Sequence, residues 1–202
     1  GYTAGAYASF AKNSIYPLKT YESFVHDPLK VILSSFSKVN RDGEGAAIQL
    51  IWSPVGEKYV KKYKEALDKI QKGISLKESI DIPNSVSGEI VHTFKDIFSS
   101  SSKKKEGEEE KKPEPIDQTA VEEIKRKIGA PIVLCNLRIL ASSNTKVEAE
   151  EILDNVKSSF NQFDNTLGNS LKWKKTEKGD LRSLVKNFSF RIFDNDTTLP
   201  MN

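Results

Sequence analysis

From Tyr2 to Lys12 small and aromatic residues alternate weakly, the pattern of a strand with one close-packed face, and Pro17 ends it. Asp27-Pro28 then supply a helix start, the carboxylate accepting from free amides and the proline taking a first-turn position that needs no donor. Leu29, Ile32, Leu33, Phe36 and Val39 follow at helical spacing until Arg41-Asp42-Gly43 breaks the run. Ala46, Ile48, Leu50 and Trp52 alternate on one face of the next strand, which predicts that they point inward. Pro54 and Gly56 close that strand. A helix over 57–72 sets Tyr59, Tyr63, Ala66, Leu67 and Ile70 on one stripe and lysines on the other, with Gly73 as its cap.

The middle of the chain is weaker in pattern. Pro83-Asn84-Ser85 precede a short helix candidate bearing Val86, Ile90, Phe94, Ile97 and Phe98. The Ser/Lys/Glu-rich tract that follows, SSSSKKKEGEEEKKPEP, has no aromatic or β-branched residue and cannot bury enough surface to offset the entropy of ordering it. Residues 99–116 are therefore expected to be a disordered loop. Beyond it Asp117 caps a helix with Val121, Ile124 and Ile128, closed by Gly129-Ala130-Pro131. In Ile132 to Leu140, Val133, Cys135, Leu137 and Ile139 share one strand face, leaving Arg138 to reach solvent or a neighbouring edge. Thr145 and Glu148 have capping-box spacing, and the helix behind them buries Ile152, Leu153, Val156, Phe160 and Phe163. Leu171 and Trp173 mark one further strand, and Phe188, Phe190 and Ile192 mark another, with a helical turn over 181–186 between them.

Each half thus contains a strand-helix-strand unit, and the predicted class is α+β: ferredoxin-like halves with helices packed on a mainly antiparallel sheet. Residues 1–98 form the first half and 117–202 the second. We expect one compact module, because neither half alone would have a comfortable core.

Composition sharpens this picture in two places. With 37% hydrophobic and 29% charged residues the chain reads as globular, and its formal charge of +3 is too small by itself to imply nucleic acid. Basic residues are nevertheless concentrated: seven lysines face three acids between Glu57 and Lys77, and five lysines and two arginines face two acids between Lys172 and Arg191. Lys172, Lys174, Lys175, Lys178, Arg182, Lys186 and Arg191 are accordingly the candidate contacts for phosphate or an acidic partner; solvated helix and strand faces are the blander reading of the same residues. One cysteine excludes an internal disulfide, and no apolar run approaches the ~20 residues needed to span a bilayer.

No phosphate loop, dinucleotide fingerprint, HExxH, CxxC or GxSxG motif is present, so no catalytic, cofactor or metal residue is assigned and ATP hydrolysis by this segment is not expected. His26 beside Asp27 is a poor base-acid pair, because the aspartate is better used as a cap. His92 lies amid Val91, Thr93 and Phe94, and Cys135 on an apolar strand face behaves as a small hydrophobe. An unrelated small enzyme using His26 or Cys135 is the least supported reading. The aromatics Trp52, Trp173, Phe188 and Phe190 alternate with aliphatics and are read as inward-facing, unlike a base-stacking sheet.

Ile15 to Tyr21, Asp27-Pro28-Leu29, Gly45 to Leu50 ending in Ser53-Pro54, Asn136 to Ser142, Phe160 to Phe163 and Phe190 to Phe193 together resemble the region preceding the motor in bacterial membrane-anchored ATPases of the conjugative-transfer and type IV secretion, HerA/FtsK-like class. On that resemblance, Leu199 to Asn202 falls about where the linker to the motor begins. The chain would then be a piece of a larger protein, with membrane helices upstream and a hexameric DNA-translocating ATPase downstream. The resemblance implies a non-catalytic accessory or assembly domain, cytoplasmic at the inner face of the membrane. Its partners would be the downstream ATPase domain and neighbouring subunits, with a homo-oligomer and direct DNA contact as further expectations. Contact with the membrane would come only through segments outside this chain. A non-specific nucleic-acid-binding domain using the 172–191 patch is the alternative.

Overall fold

A computed structural model describes residues 1–39, 42–74 and 118–202. The helix candidate over 83–98, His92 and the charged tract lie outside the described residues. The strands are β1 (Tyr2–Phe10), β2 (Gly45–Pro54), β3 (Val133–Ser143), β4 (Leu171–Thr176) and β5 (Leu199–Met201), and the helices are α1 (Pro28–Ser35), α2 (Lys58–Gln71), α3 (Gln118–Ile128), α4 (Lys146–Ser158) and α5 (Lys178–Ser189).

The four longer strands run in the order β2-β3-β1-β4, every pair antiparallel, and β5 pairs with β3. Two strand-helix-strand units, β1-α1-β2 and β3-α4-β4, interlock in this order, which is the split arrangement of a ferredoxin-like sheet. β3 is the central strand: β2 runs beside it from Val133 to Ser142, β1 pairs with residues 138–143, and β5 with residues 133–135. The first strand of the chain thus reaches its hydrogen-bonding partner only after more than 120 intervening residues.

Local chemistry starts the helices where the pattern predicts. Asp27 accepts from the Leu29 amide at 2.9 Å with Pro28 at the first helical position, and the Glu148 amide donates to Thr145 Oγ1 at 3.2 Å. α4 lies on one face of the sheet, over Ala4, Ala6 and Ala8 of β1 and Cys135, Leu137, Ile139 and Ala141 of β3. α5 covers the opposite face, against β1 and β4. A second core joins α2 and α3 through Tyr63, Ala66, Leu67, Ile70, Val121 and Ile124 to Ile15, Ile132 and Leu134.

Small residues on β1 let helices approach from both sides. A Cβ on Gly5 would stand 2.7 Å from Leu184 Cδ2 and 2.9 Å from Leu140 Cδ2. Gly5→Val is expected to cost about 1–3 kcal/mol by overpacking, with a fall in urea midpoint at unchanged slope as the measurement.

Three expectations are corrected. Residues 188–192 are not a strand: Leu181, Leu184, Val185 and Phe188 sit at helical spacing on the sheet-facing side of α5, which runs to Ser189 and ends with Arg191 in the left-handed region at φ 53°. Phe190 is consequently exposed, and the last strand is β5 at Leu199–Met201. Arg138 does not reach solvent; it is 1% exposed beneath α5 and donates to Ile192 O (2.8 Å), Asn136 Oδ1 (2.9 Å) and Gln49 Oε1 (3.3 Å). Leu50 and Trp52 are not core residues, for a reason that belongs to the surface they form.

Candidate interaction surface

β2 is an edge strand of ten residues, GAAIQLIWSP, without a single charge. Edge strands are ordinarily protected by lysines, bulges or covering elements, because their free amides and carbonyls template pairing with another chain. Among the described residues no strand pairs with the outer edge of β2.

Ala46, Ile48, Leu50 and Trp52 share the strand face on which α4 packs. Ala46 and Ile48 join that core, whereas Leu50 is 55% and Trp52 65% exposed. The cause is the length and placement of α1. Eight residues span only about 12 Å, and α1 packs on α4 and on the 3₁₀ turn at Ser159–Phe163 instead of crossing the sheet to β2. Only Ile32 of its aliphatic residues turns toward the core; Leu29 and Leu33, one turn apart, are exposed, as are Tyr21 and Val25 before the helix. The result is a pair of large apolar side chains, Leu50 and Trp52, left bare on an uncharged edge strand, with further exposed apolar residues on α1 and the segment before it.

The basic residues are only partly brought together. Lys172 and Lys174 project from the β4 face that α5 covers, Lys174 lying 5.7 Å from the Tyr7 ring centroid. Lys178, Arg182 and Lys186 follow at spacings of four along the exposed side of α5. Strand alternation puts Lys175 on the other face, where its Nζ pairs with Asp154 at 3.0 Å, and Arg191 sits past the end of α5. Asp180 shares the Lys174 side, lining a cavity with Tyr7 and Asn187.

Chemistry elsewhere is sparse. His26 is exposed and Asp27 is engaged as the cap. Burial pushes the Cys135 thiol up to about 11, away from the thiolate needed for nucleophilic attack. Among the described residues no group of three or more histidine, cysteine, aspartate or glutamate side chains is placed to hold a metal, and no helix is long and apolar enough to cross a membrane.

Sequence comparison matches residues 1–201 to the family model described as a domain of unknown function, DUF8128. The chain belongs to the DUF8128 family. No curated protein and no solved structure matches it.

Pattern reading of the DUF8128 chain missed the elements of this surface because alternation reports which residues share a face, not whether a helix covers it. One signal was present in the sequence: an uncharged ten-residue strand in a chain with 29% charged residues. A second feature with no sequence signature is the buried Lys127, whose Nζ donates to Pro200 O at 2.6 Å and lies 5.3 Å from the Phe10 ring centroid. Burial lowers its ammonium to about 7, partly offset by the neighbouring Cys135.

Proposed function

We propose that this DUF8128 domain is a non-catalytic accessory and assembly module of a DNA-translocating or secretion-type ATPase, making protein-protein contacts through β2 and the apolar residues around it. The observation that carries the contact reading is the exposure of Leu50 and Trp52 on an uncharged edge strand whose outer side meets no other strand among the described residues. A partner strand added to β2 would satisfy its free backbone groups and cover both side chains at once. The resemblance in the segments around Tyr16-Pro17, Asp27-Pro28 and Asn136 to Ser142 supplies the parent class, and with it the ATPase domain and neighbouring subunits as partners, at the inner face of the membrane.

The test is site-specific photo-crosslinking in the full-length parent, with a benzophenone amino acid at Trp52 or Leu33 and, as control, at the exposed Lys146. Trp52 and Leu33 are expected to crosslink to the ATPase region or to a neighbouring subunit, and Lys146 is not. Equal yields at all three positions, or none at the first two, overturn the assignment. Saturable phosphate release from ATP by the isolated domain would remove the non-catalytic part of the proposal.

A second reading, non-specific DNA contact, is favoured by Lys172, Lys174, Lys178, Arg182 and Lys186 lying on the α5 side of the sheet. On that reading the double substitution Lys174→Glu and Lys186→Glu weakens DNA binding in fluorescence anisotropy and flattens its salt dependence by about two phosphate contacts. Absence of binding by the parent domain at low salt disposes of it.

A further inference from the structure

Lys127 is the last lysine of α3, and its position at the helix end aims it between the sheet and the 18–21 segment. It is 1% exposed, and among the described residues its hydrogen bond is to Pro200 O. An ammonium has three donors; here one meets a carbonyl, the Phe10 ring face lies nearby, and among the described residues no carboxylate is within ion-pair distance. Glu123, one turn back, is occupied by Arg126 (3.0 Å) and by Asn165 Nδ2 (2.8 Å). A buried ammonium without an anion is poised to lose its proton, and an anion brought beside it would restore the charged form.

The same amine lines a cavity of about 220 Å³, with Phe10, Lys19, Tyr21, Phe163 and Met201 among its walls. Two cations, three aromatic rings and a thioether thus surround one space, with no acidic side chain lining it. We propose that this cavity is a binding site for a small organic anion, its carboxylate pairing with Lys127 and its apolar body lying against Phe10, Phe163 and Met201. Lys19, whose ammonium lies 5.0 Å from the Phe24 ring centroid, is the second cation in the lining. The volume suits a ligand of roughly benzoate size, smaller than the ~300 Å³ lower bound of drug-sized pockets. The walls disfavour a bare inorganic anion, which would be desolvated against aromatic surface without gaining an apolar contact.

Binding is expected to be proton-linked. The groups facing the Lys127 amine are Cys135 from β3 and Lys19 and Tyr21 from the segment before α1. Burial lowers the Lys127 ammonium itself to about 7. A carboxylate binds the ammonium and not the free amine, so apparent affinity falls as pH rises through the value for the free site, by about tenfold between pH 6 and pH 8.

The chain contains one methionine, so ¹³C-methyl labelling gives a single resonance, from Met201 in the wall of the cavity. Titrating the 202-residue chain with benzoate is expected to shift this resonance saturably, with the pH dependence above, while the neutral isostere benzamide leaves it in place. Lys127→Leu should abolish the shift. Should that variant fold poorly, Lys19→Gln is the second, and is expected to weaken binding several-fold. The proposal is overturned by an unmoved resonance, by equal shifts from benzamide, by an affinity independent of pH, or by inorganic phosphate binding as well as benzoate.

Discussion

Folding stability is expected to rise, not fall, as pH increases from 6.5 to 8.5, by about 2 kcal/mol. The group responsible is Lys127, whose ammonium is lowered by burial to about 7 from the ordinary lysine value of 10.5. Below pH 7 the amine is protonated in folded and unfolded chains alike, and the full cost of burying the charge is present. Between 7 and 10.5 the unfolded chain binds a proton that the folded chain does not, so stability climbs by about 1.4 kcal/mol per pH unit. Cys135, pushed up to about 11, and Tyr63, also raised by burial, work in the opposite direction once the unfolded thiol and phenol begin to ionise, so the rise is cleanest below pH 9. Urea unfolding across this range gives the slope directly. Lys127→Leu should flatten it, while leaving Pro200 O without its donor at a cost of about 1–3 kcal/mol. A wild-type slope of zero, or a slope that survives in the variant, would show that the amine is hydrated in solution.

Asn169→Ala is expected to remove about 3–5 kcal/mol, an unusually large loss for a loop residue. Asn169 is fully buried, and its side chain organises two connections at once. Oδ1 accepts from the Lys12 amide at 2.9 Å and the Ser170 amide at 3.0 Å; Nδ2 donates to Asn13 O at 2.9 Å, with Lys12 O and Tyr16 O at 3.3 and 3.4 Å. Truncation leaves several backbone groups unpaired in the interior, each costing about 1–3 kcal/mol if no water reaches it. The neighbouring backbone is equally committed: Asn169 N donates to Pro17 O at 2.8 Å, and a Cβ on Gly168 would stand 2.3 Å from that oxygen. The chain leaving β1 is therefore fixed by the loop entering β4. A denaturant midpoint reduced by less than the equivalent of about 1 kcal/mol would mean that water replaces the amide. Since Lys19 follows Pro17 by two residues, the same substitution should also perturb the Met201 resonance.

Both predictions rest on side chains that pattern reading passed over, and the reason is common to them. Lys127 falls in a charged last turn, Lys125-Arg126-Lys127, where a solvated lysine is the ordinary expectation, and Asn169 falls in a turn-like Gly-Asn-Ser stretch. Their burial comes from Pro200, 73 residues away, and from Lys12 to Tyr16, some 150 residues away. Nothing within a local window reports such distances. Arg138 is the same case: alternation correctly put it on the face opposite Ile139, yet that face is roofed by α5, and an arginine that looked solvent-bound became part of a polar cluster with Asn136, Gln49 and the Ile192 carbonyl.

Where the sequence alone sufficed, the determining chemistry was local. Asp27-Pro28 and Thr145 to Glu148 start their helices because the groups that satisfy the first free amides lie within three residues of them. Likewise β2 and β3 are strands because ten-residue alternation admits no helical stripe, and the α+β class follows from the succession of such elements. The error at 188–192 shows the limit: over five residues Phe188, Phe190 and Ile192 fit a period of two, and only with Leu181, Leu184 and Val185 does the period of 3.6 prevail. Tertiary structure alone decided the strand order, the roofing of Arg138, the burial of Lys127 and the exposure of Leu50 and Trp52. Each depends on which distant segments meet and which surfaces they leave bare, a matter of packing that periodicity does not encode.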